Sequence, residues 1–170
     1  LNILVRLIAP ILSYTAEEIW QASERLNSQE ESIFLSNFDL SKINEQSSIT
    51  ESDWNRIFEI KNDVNQSIEA MRNENKIKGS LDANVHIEAN KHDISILEKI
   101  GTELHFLFIC SETVIKESKD FKIKVSPSKS QKCSRCWHRH NSVSNSKVHP
   151  DLCKRCIENI DDDGEKRSFV

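Results

Sequence analysis

The chain opens on apolar positions that recur at helical spacing: Leu1, Leu4, Ile8, Ile11 and Leu12. Pro10 lacks an N–H and disfavours helix at Ala9, so the pattern over 1–27 predicts helix interrupted near Pro10. Thr15-Ala16-Glu17-Glu18 reads as a capping box that restarts the helix, with Ile19 and Trp20 turned to a core. Residues 28–50 are rich in Ser, Asn and Gln and read as a long connection, broken only by Ile33-Phe34-Leu35. The widest stripe follows. Trp54, Ile57, Phe58, Ile60, Val64, Ile68 and Met71 predict one long helix over 52–77, ended by Gly79 and packed on the first helices as an antiparallel bundle.

The period then changes. Ala83, Val85, Ile87 and Ala89 alternate with polar residues and predict a half-buried strand. Ile94, Ile96, Leu97, Ile100 and Leu104 return to helical spacing over 92–104. Phe106-Leu107-Phe108-Ile109 reads as a buried strand, and Phe121, Ile123 and Val125 alternate as another. The order strand, helix, strand, strand suggests a small sheet covered by one helix. Ser126-Pro127-Ser128-Lys129-Ser130 reads as a hinge-like linker. The predicted fold class is mainly α: a helical bundle over 1–80, a small α+β subdomain over 81–128 and a zinc-ribbon module over 129–170.

Beyond the linker the pattern of apolar residues gives way to cysteines. Cys133, Cys136, Cys153 and Cys156 form C-x2-C, sixteen residues, C-x2-C. Each tight knuckle offers two thiolates, and four thiolates close a tetrahedral Zn²⁺ shell with no place for an activated water. The ion is therefore read as structural. A redox dithiol usually comes singly beside a βαβ pattern, and two disulfides would want an oxidising compartment. No signal peptide is evident, and the fifth cysteine, Cys110, sits in an apolar run as a buried small hydrophobe.

Charge sharpens this division. The net charge is −4, but residues 1–128 carry 14 basic against 21 acidic side chains, while residues 129–170 carry 9 against 6. Within 129–156 the count is seven against one, an electropositive patch on an acidic protein. Glycine and proline number three each, consistent with long elements, and no apolar run is long enough to span a membrane. The chain begins with Leu1 in what reads as mid-helix, so it is taken as a fragment of a longer protein.

Lys132-Cys133-Ser134-Arg135-Cys136-Trp137 with His149-Pro150-Asp151-Leu152-Cys153-Lys154-Arg155-Cys156 resembles the C-terminal zinc ribbon of bacterial-type isoleucyl-tRNA synthetases. Leu7-Ile8-Ala9-Pro10-Ile11-Leu12 with Thr15-Ala16-Glu17-Glu18-Ile19-Trp20 resembles the anticodon-binding helices of class I synthetases for branched aliphatic amino acids. Ile77-Lys78-Gly79-Ser80-Leu81-Asp82-Ala83 is similar to the passage from helix to the small α+β region in that family. The resemblance implies tRNA(Ile) as partner, a cytoplasmic monomer, and ATP-dependent isoleucylation by catalytic and editing domains of the same parent chain. No H-I-G-H or K-M-S-K-S element is present, so no catalytic residue is expected here.

RNA binding needs cations for phosphates and flat groups for unpaired bases. Lys132, Arg135, Arg139, Lys154 and Arg155 are the phosphate candidates in the zinc module, and Trp137 the stacking candidate. The competing readings are a hydrophobic plug for Trp137 and support of the thiolates for Arg135 and Arg155. Arg72 and Lys76 are weaker candidates on the long helix, whose charged face is ordinarily just solvated. Two other classes remain open: the zinc-finger tail of a DNA-repair glycosylase, and a zinc-ribbon protein adaptor.

Overall fold

The structure is a computed structural model that describes residues 1–23, 30–37, 48–162 and 164–169. It divides into two compact units, Leu1–Gln46 and Ser47–Val170. Residues 24–27 of the expected first helical stretch and most of the expected 28–50 connection lie outside the described residues. Among the described residues no helix is long and apolar enough to cross a membrane.

In the first unit, helix α1 spans Asn2–Ile8 and α2 spans Ser13–Ala22. The break falls where Pro10 predicts it. The restart does not: α2 begins two residues before Thr15, with Leu12 as a cap that makes no side-chain hydrogen bond. The expected capping box at Thr15 is therefore absent. Glu17 instead accepts hydrogen bonds from the Ser32 hydroxyl (2.8 Å) and the Ile33 N–H (3.1 Å), pinning the short turn Ile33–Leu35. Trp20 is fully buried, donates from Nε1 to the Glu30 carbonyl at 3.0 Å, and carries the Arg6 guanidinium on its ring. The buried side chains are Val5, Ala9, Ala16, Trp20 and Ile33. Leu1, Leu4, Ile11 and Leu12 of the expected stripe are more than half exposed within the chain.

The second unit begins with α3, Glu51–Asn73. A capping box that the sequence reading passed over starts it. The Asp53 N–H donates to the Thr50 hydroxyl, and the Thr50 N–H donates to the Asp53 carboxylate. The helix ends six residues before Gly79, through Asn75 in the left-handed region (φ 57°). Asparagine tolerates that conformation, so no glycine is required.

Strand β1, Ala83–Ala89, is the centre of a three-stranded sheet in the order β2-β1-β3. It runs parallel to β2, Glu112–Glu117, and antiparallel to β3, Lys122–Pro127. The register places Val85 between Thr113 and Val125, and Ile87 between Ile115 and Ile123, on one face. Helix α4, Lys91–Ile100, makes the crossover from β1. The stripe of α3 (Ile57, Ile60, Val64, Ile68) lies in one core with Val85, Ile87, Ile96, Leu97 and Ile100. Two ion pairs fasten α3 to α4: Arg56 grips both Asp93 oxygens at 2.9 and 2.8 Å, and Lys99 meets Asp53 at 2.7 Å. The fold is thus mixed α+β rather than a mainly α bundle, because the longest helix spends its apolar stripe on the sheet and its crossover helix.

Two further expectations are corrected. Phe106–Ile109 is not a strand. A turn at Gly101–Glu103 leads into the short helix α5, Leu104–Leu107, which closes with Phe108 N–H on the Leu104 carbonyl and Ile109 left-handed (φ 53°). A four-residue apolar run carries no period that separates strand from buried helix. The 126–130 segment is not a free hinge either. Ser126 and Pro127 pair with Asn84 and Ala83, and the Ser128 N–H donates to the Asp82 carbonyl at 2.7 Å.

Candidate metal centre and its surroundings

Local backbone geometry assembles the four cysteines. Around the first knuckle the chain doubles back: Lys132 pairs with Arg139, the Cys133 N–H donates to the His138 carbonyl, and the Trp137 N–H closes on the Cys133 carbonyl at 3.0 Å. The second knuckle is the start of helix α6, Lys154–Asp161, with Cys153 as its cap and Cys156 in its first turn. Ser134 joins the knuckles, its N–H on the Asp151 carbonyl and its hydroxyl on the Asp151 carboxylate at 2.6 Å.

All four sulfurs lie within 4.8 Å of one another, and Cys136 and Cys153 are 3.7 Å apart. Zn–S bonds of about 2.3 Å in a tetrahedron place sulfurs about 3.8 Å apart, so the set fits one Zn²⁺. Without a cation, Cys153 and Cys156 resist ionising beside the other sulfurs. Burial works against ionising Cys133, yet N–H groups of Cys136, Cys153 and Arg135 hold its thiol down to about 6. Burial, with the neighbouring Cys136 sulfur, pushes Cys153 up to about 12. Burial also raises Cys156, while the Arg135 side chain pulls the other way. Four thiolates in so small a volume need a cation, and a closed all-sulfur shell makes that cation structural. Outside the set, Cys110 is fully buried, and burial pushes its thiol up to about 11, as a small core hydrophobe should behave.

The basic candidates separate by what they touch. Arg139 is a latch between the module and the α+β core. Its Nε donates to Asp82 at 2.7 Å, its Nη1 to the Ser130 carbonyl at 3.2 Å, and its backbone N–H to the Ser111 hydroxyl at 2.7 Å. Ser111 in turn donates to the Leu81 carbonyl. Arg155 pairs with Glu165 at 3.1 Å and lies over the Phe106 ring, and the neighbouring Cys136 and Cys156 sulfurs favour its charge. Arg135 stays exposed while reaching the Cys156 sulfur. Lys154 is open to solvent beside Glu158.

Trp137 is 61% exposed and not a plug, with the Lys132 ammonium 5.3 Å from its ring centre. Its backbone is left-handed (φ 66°), an outlier for a bulky residue. Arg72 and Lys76 sit at the end of α3 and in the turn beyond it, paired with Glu69 and Glu74. Sequence reading assigned no role to Asp82 or Ser111. Asp82 looks like a turn residue until the fold brings Arg139 to it, and it also accepts the Gly79 N–H.

Comparison with known proteins agrees with this arrangement. Residues 1–87 match the family model described as the anticodon-binding domain of tRNA ligase, and residues 130–159 match the zinc finger found in FPG and IleRS. The chain is similar to isoleucine–tRNA ligases of Francisella philomiragia (37% identity over 180 residues), Histophilus somni (35% over 179) and Hahella chejuensis (39% over 182). Each alignment covers 98% of this chain and 19% of the relative, so the chain spans about a fifth of the length of these relatives. Half of the chain matches one domain model and its cysteine-bearing tail a second: the chain belongs to the family of anticodon-binding domains of tRNA ligases, followed by a zinc finger of the FPG and IleRS type.

Proposed function

We propose that the chain is the tRNA-binding part of an isoleucine–tRNA ligase. It would hold the anticodon region of tRNA(Ile) while a catalytic core elsewhere in the parent protein carries out ATP-dependent isoleucylation in the cytoplasm. The carrying observation is the succession of the two family matches along one chain that aligns over 98% of its length with isoleucine–tRNA ligases. A glycosylase tail would share the zinc finger but has no place for the anticodon-binding match.

In this proposal Cys133, Cys136, Cys153 and Cys156 ligate one Zn²⁺ that fixes the surface around them. Trp137 stacks on an unpaired base. A bulky residue held left-handed and in solvent is the kind of strain that persists at functional positions. Lys132, Arg135 and Lys154 meet phosphates. Arg139 and Arg155, already committed to Asp82 and Glu165, support the surface rather than form it. Arg72 and Lys76, each answered by a neighbouring glutamate, are secondary phosphate contacts.

The test is filter binding of the zinc-loaded chain to tRNA(Ile), with an unrelated tRNA and duplex DNA as competitors, at two salt concentrations. Selective binding that weakens with salt supports the proposal. Duplex DNA as the stronger competitor, or binding indifferent to salt, overturns it.

A further inference from the structure

Beyond α6 the chain returns to the α+β core. Residues 164–169 run against the turn Gly101–Glu103 and helix α5, and they are fastened on two sides. On the core side, the Glu103 carboxylate accepts two successive backbone N–H groups, from Ser168 at 2.6 Å and Phe169 at 2.9 Å, and the Arg167 guanidinium lies 4.0 Å from the centre of the Phe106 ring. On the module side, Glu165 gathers the Arg155 guanidinium at 3.1 Å and the Asn159 amide at 3.2 Å, while its own N–H donates to Asn159 Oδ1 at 3.0 Å. The same carboxylate takes Arg167 at 2.7 Å, so one side chain joins the two sides.

Ion pairs open to solvent contribute little one at a time. Here they converge on one ring: Phe106 of the core carries Arg155 from the module at 4.9 Å as well as Arg167 from the returning segment. The backbone is shaped for the return. Gly164 is left-handed (φ 86°), and a Cβ there would come within 3.1 Å of Asn159 Oδ1, the atom that accepts the Glu165 N–H. Arg155 and Asn159 both stand on α6, whose cap is Cys153 and whose first turn holds Cys156. A helix of 8 residues is marginal unaided, and an ion bound to those two sulfurs fixes its start. The module-side anchors therefore exist only while the ion holds α6. The four sulfurs, by contrast, form a complete ligand set without any atom of 164–169.

From this arrangement we propose that residues 164–169 are a zinc-dependent clasp, closing the module onto α5 while the ion is bound and opening when it leaves. The dependence runs one way. Loss of the ion dissolves the helix that presents Arg155 and Asn159, so Glu165 loses its partners and the segment comes off Glu103 and Phe106. Opening the clasp leaves the ion in place, because its contacts lie outside the thiolate set. The clasp is distinct from the Arg139 latch, which fastens the first knuckle to Asp82, whereas the clasp fastens the end of the second to α5.

The test is limited tryptic digestion of the chain, zinc-loaded and chelated, with cleavage after Lys166 and Arg167 followed by mass. Both bonds should be protected in the zinc-loaded chain. Glu103→Ala, on the core side, should speed their cleavage about tenfold, the effect of losing a charge-assisted pair of hydrogen bonds on the open population. Gly164→Ala, which removes no charge and lies outside the core, should do the same. Both variants should keep one zinc per chain and unchanged amide exchange in β1 and α3. Chelation of the unmodified chain should speed cleavage at least as much. Cleavage of both variants at the unmodified rate overturns the clasp. Zinc lost from Glu103→Ala, or a chelated chain cleaved no faster than the loaded one, overturns its one-way dependence on the ion.

Discussion

The α+β core and the zinc module lie in the same unit and are held together in different ways. The core buries a continuous cluster that runs from α3 through β1 to α4 and α5, almost all of it aliphatic. The module buries Cys133, Val143, Leu152, Cys153 and Cys156, so three of its five buried residues are thiols that can face a metal. Two aliphatic side chains cannot offset the entropy of ordering some thirty residues. The core is therefore stable by area, whereas the module depends on an ion and on its docking through Arg139. A small surface built on an ion needs little interior, and its loops stay free to carry groups such as Trp137.

The largest effect should come from attacking the ion. Chelation, or Cys136→Ser, is expected to abolish amide-exchange protection over 131–160 while β1 and α3 keep theirs. Structural zinc in finger peptides contributes about 10–16 kcal/mol, far beyond what the module's own contacts supply. Loss of protection in β1 as well would erase the distinction. Attacking the area should do the converse. Ile60→Ala, in the fully buried stripe of α3, should cost about 2–5 kcal/mol in denaturant unfolding and leave zinc stoichiometry at one.

The latch joins the two regimes. Arg139→Met strands the Asp82 carboxylate and should cost about 1–3 kcal/mol, with zinc retained and faster exchange at 131–141. Arg139→Lys should recover only part of this, because one ammonium cannot reproduce the guanidinium fork that reaches both Asp82 and the Ser130 carbonyl.

The smallest effect is the response to acid. The Lys99 ammonium and the Thr50 N–H hold Asp53 down to about 2, and Arg56 holds Asp93 below its ordinary range. Despite burial, Arg139 does the same for Asp82. A carboxyl lowered on folding adds stability that is complete above its unfolded value of about 3.9 and is lost as pH falls through the folded value. Denaturation midpoints should therefore drop between about pH 4 and 2, and Asp53→Asn should flatten part of that slope. An unchanged slope would place the acid sensitivity elsewhere, such as the thiolates.

Legibility in the sequence followed the range of the interactions. C-x2-C spacing is set within a single turn, so the cysteine set could be read directly. The β1 alternation survived intact because one face of the strand meets the core along its whole length. The α3 stripe was legible as a buried face, but not the surface it would meet. Thr50–Asp53 escaped notice as a capping box, while Thr15–Glu18 was read as one and is not. Both sequences fit the motif, and only the position of the preceding break decides which is used. Strand β2 carries its apolar residues as the adjacent pair Val114-Ile115, so no alternation marks it, whereas Ile123 and Val125 of the equally exposed β3 do alternate.

The residues alone determined that the tail can hold a tetrahedral ion, that the chain bends at Pro10, and that basic charge gathers near the cysteines. Those properties depend on neighbours a few positions apart. Only the tertiary structure decided that α3 belongs to the sheet and that Arg139 is an internal latch. Each of these rests on groups brought together from distant positions, as with Asp82 and Arg139, 57 residues apart in the chain. Charge and spacing place a side chain on the list of candidates. Whether it faces solvent, a partner or a buried carboxylate follows from the packing of elements that no local pattern records.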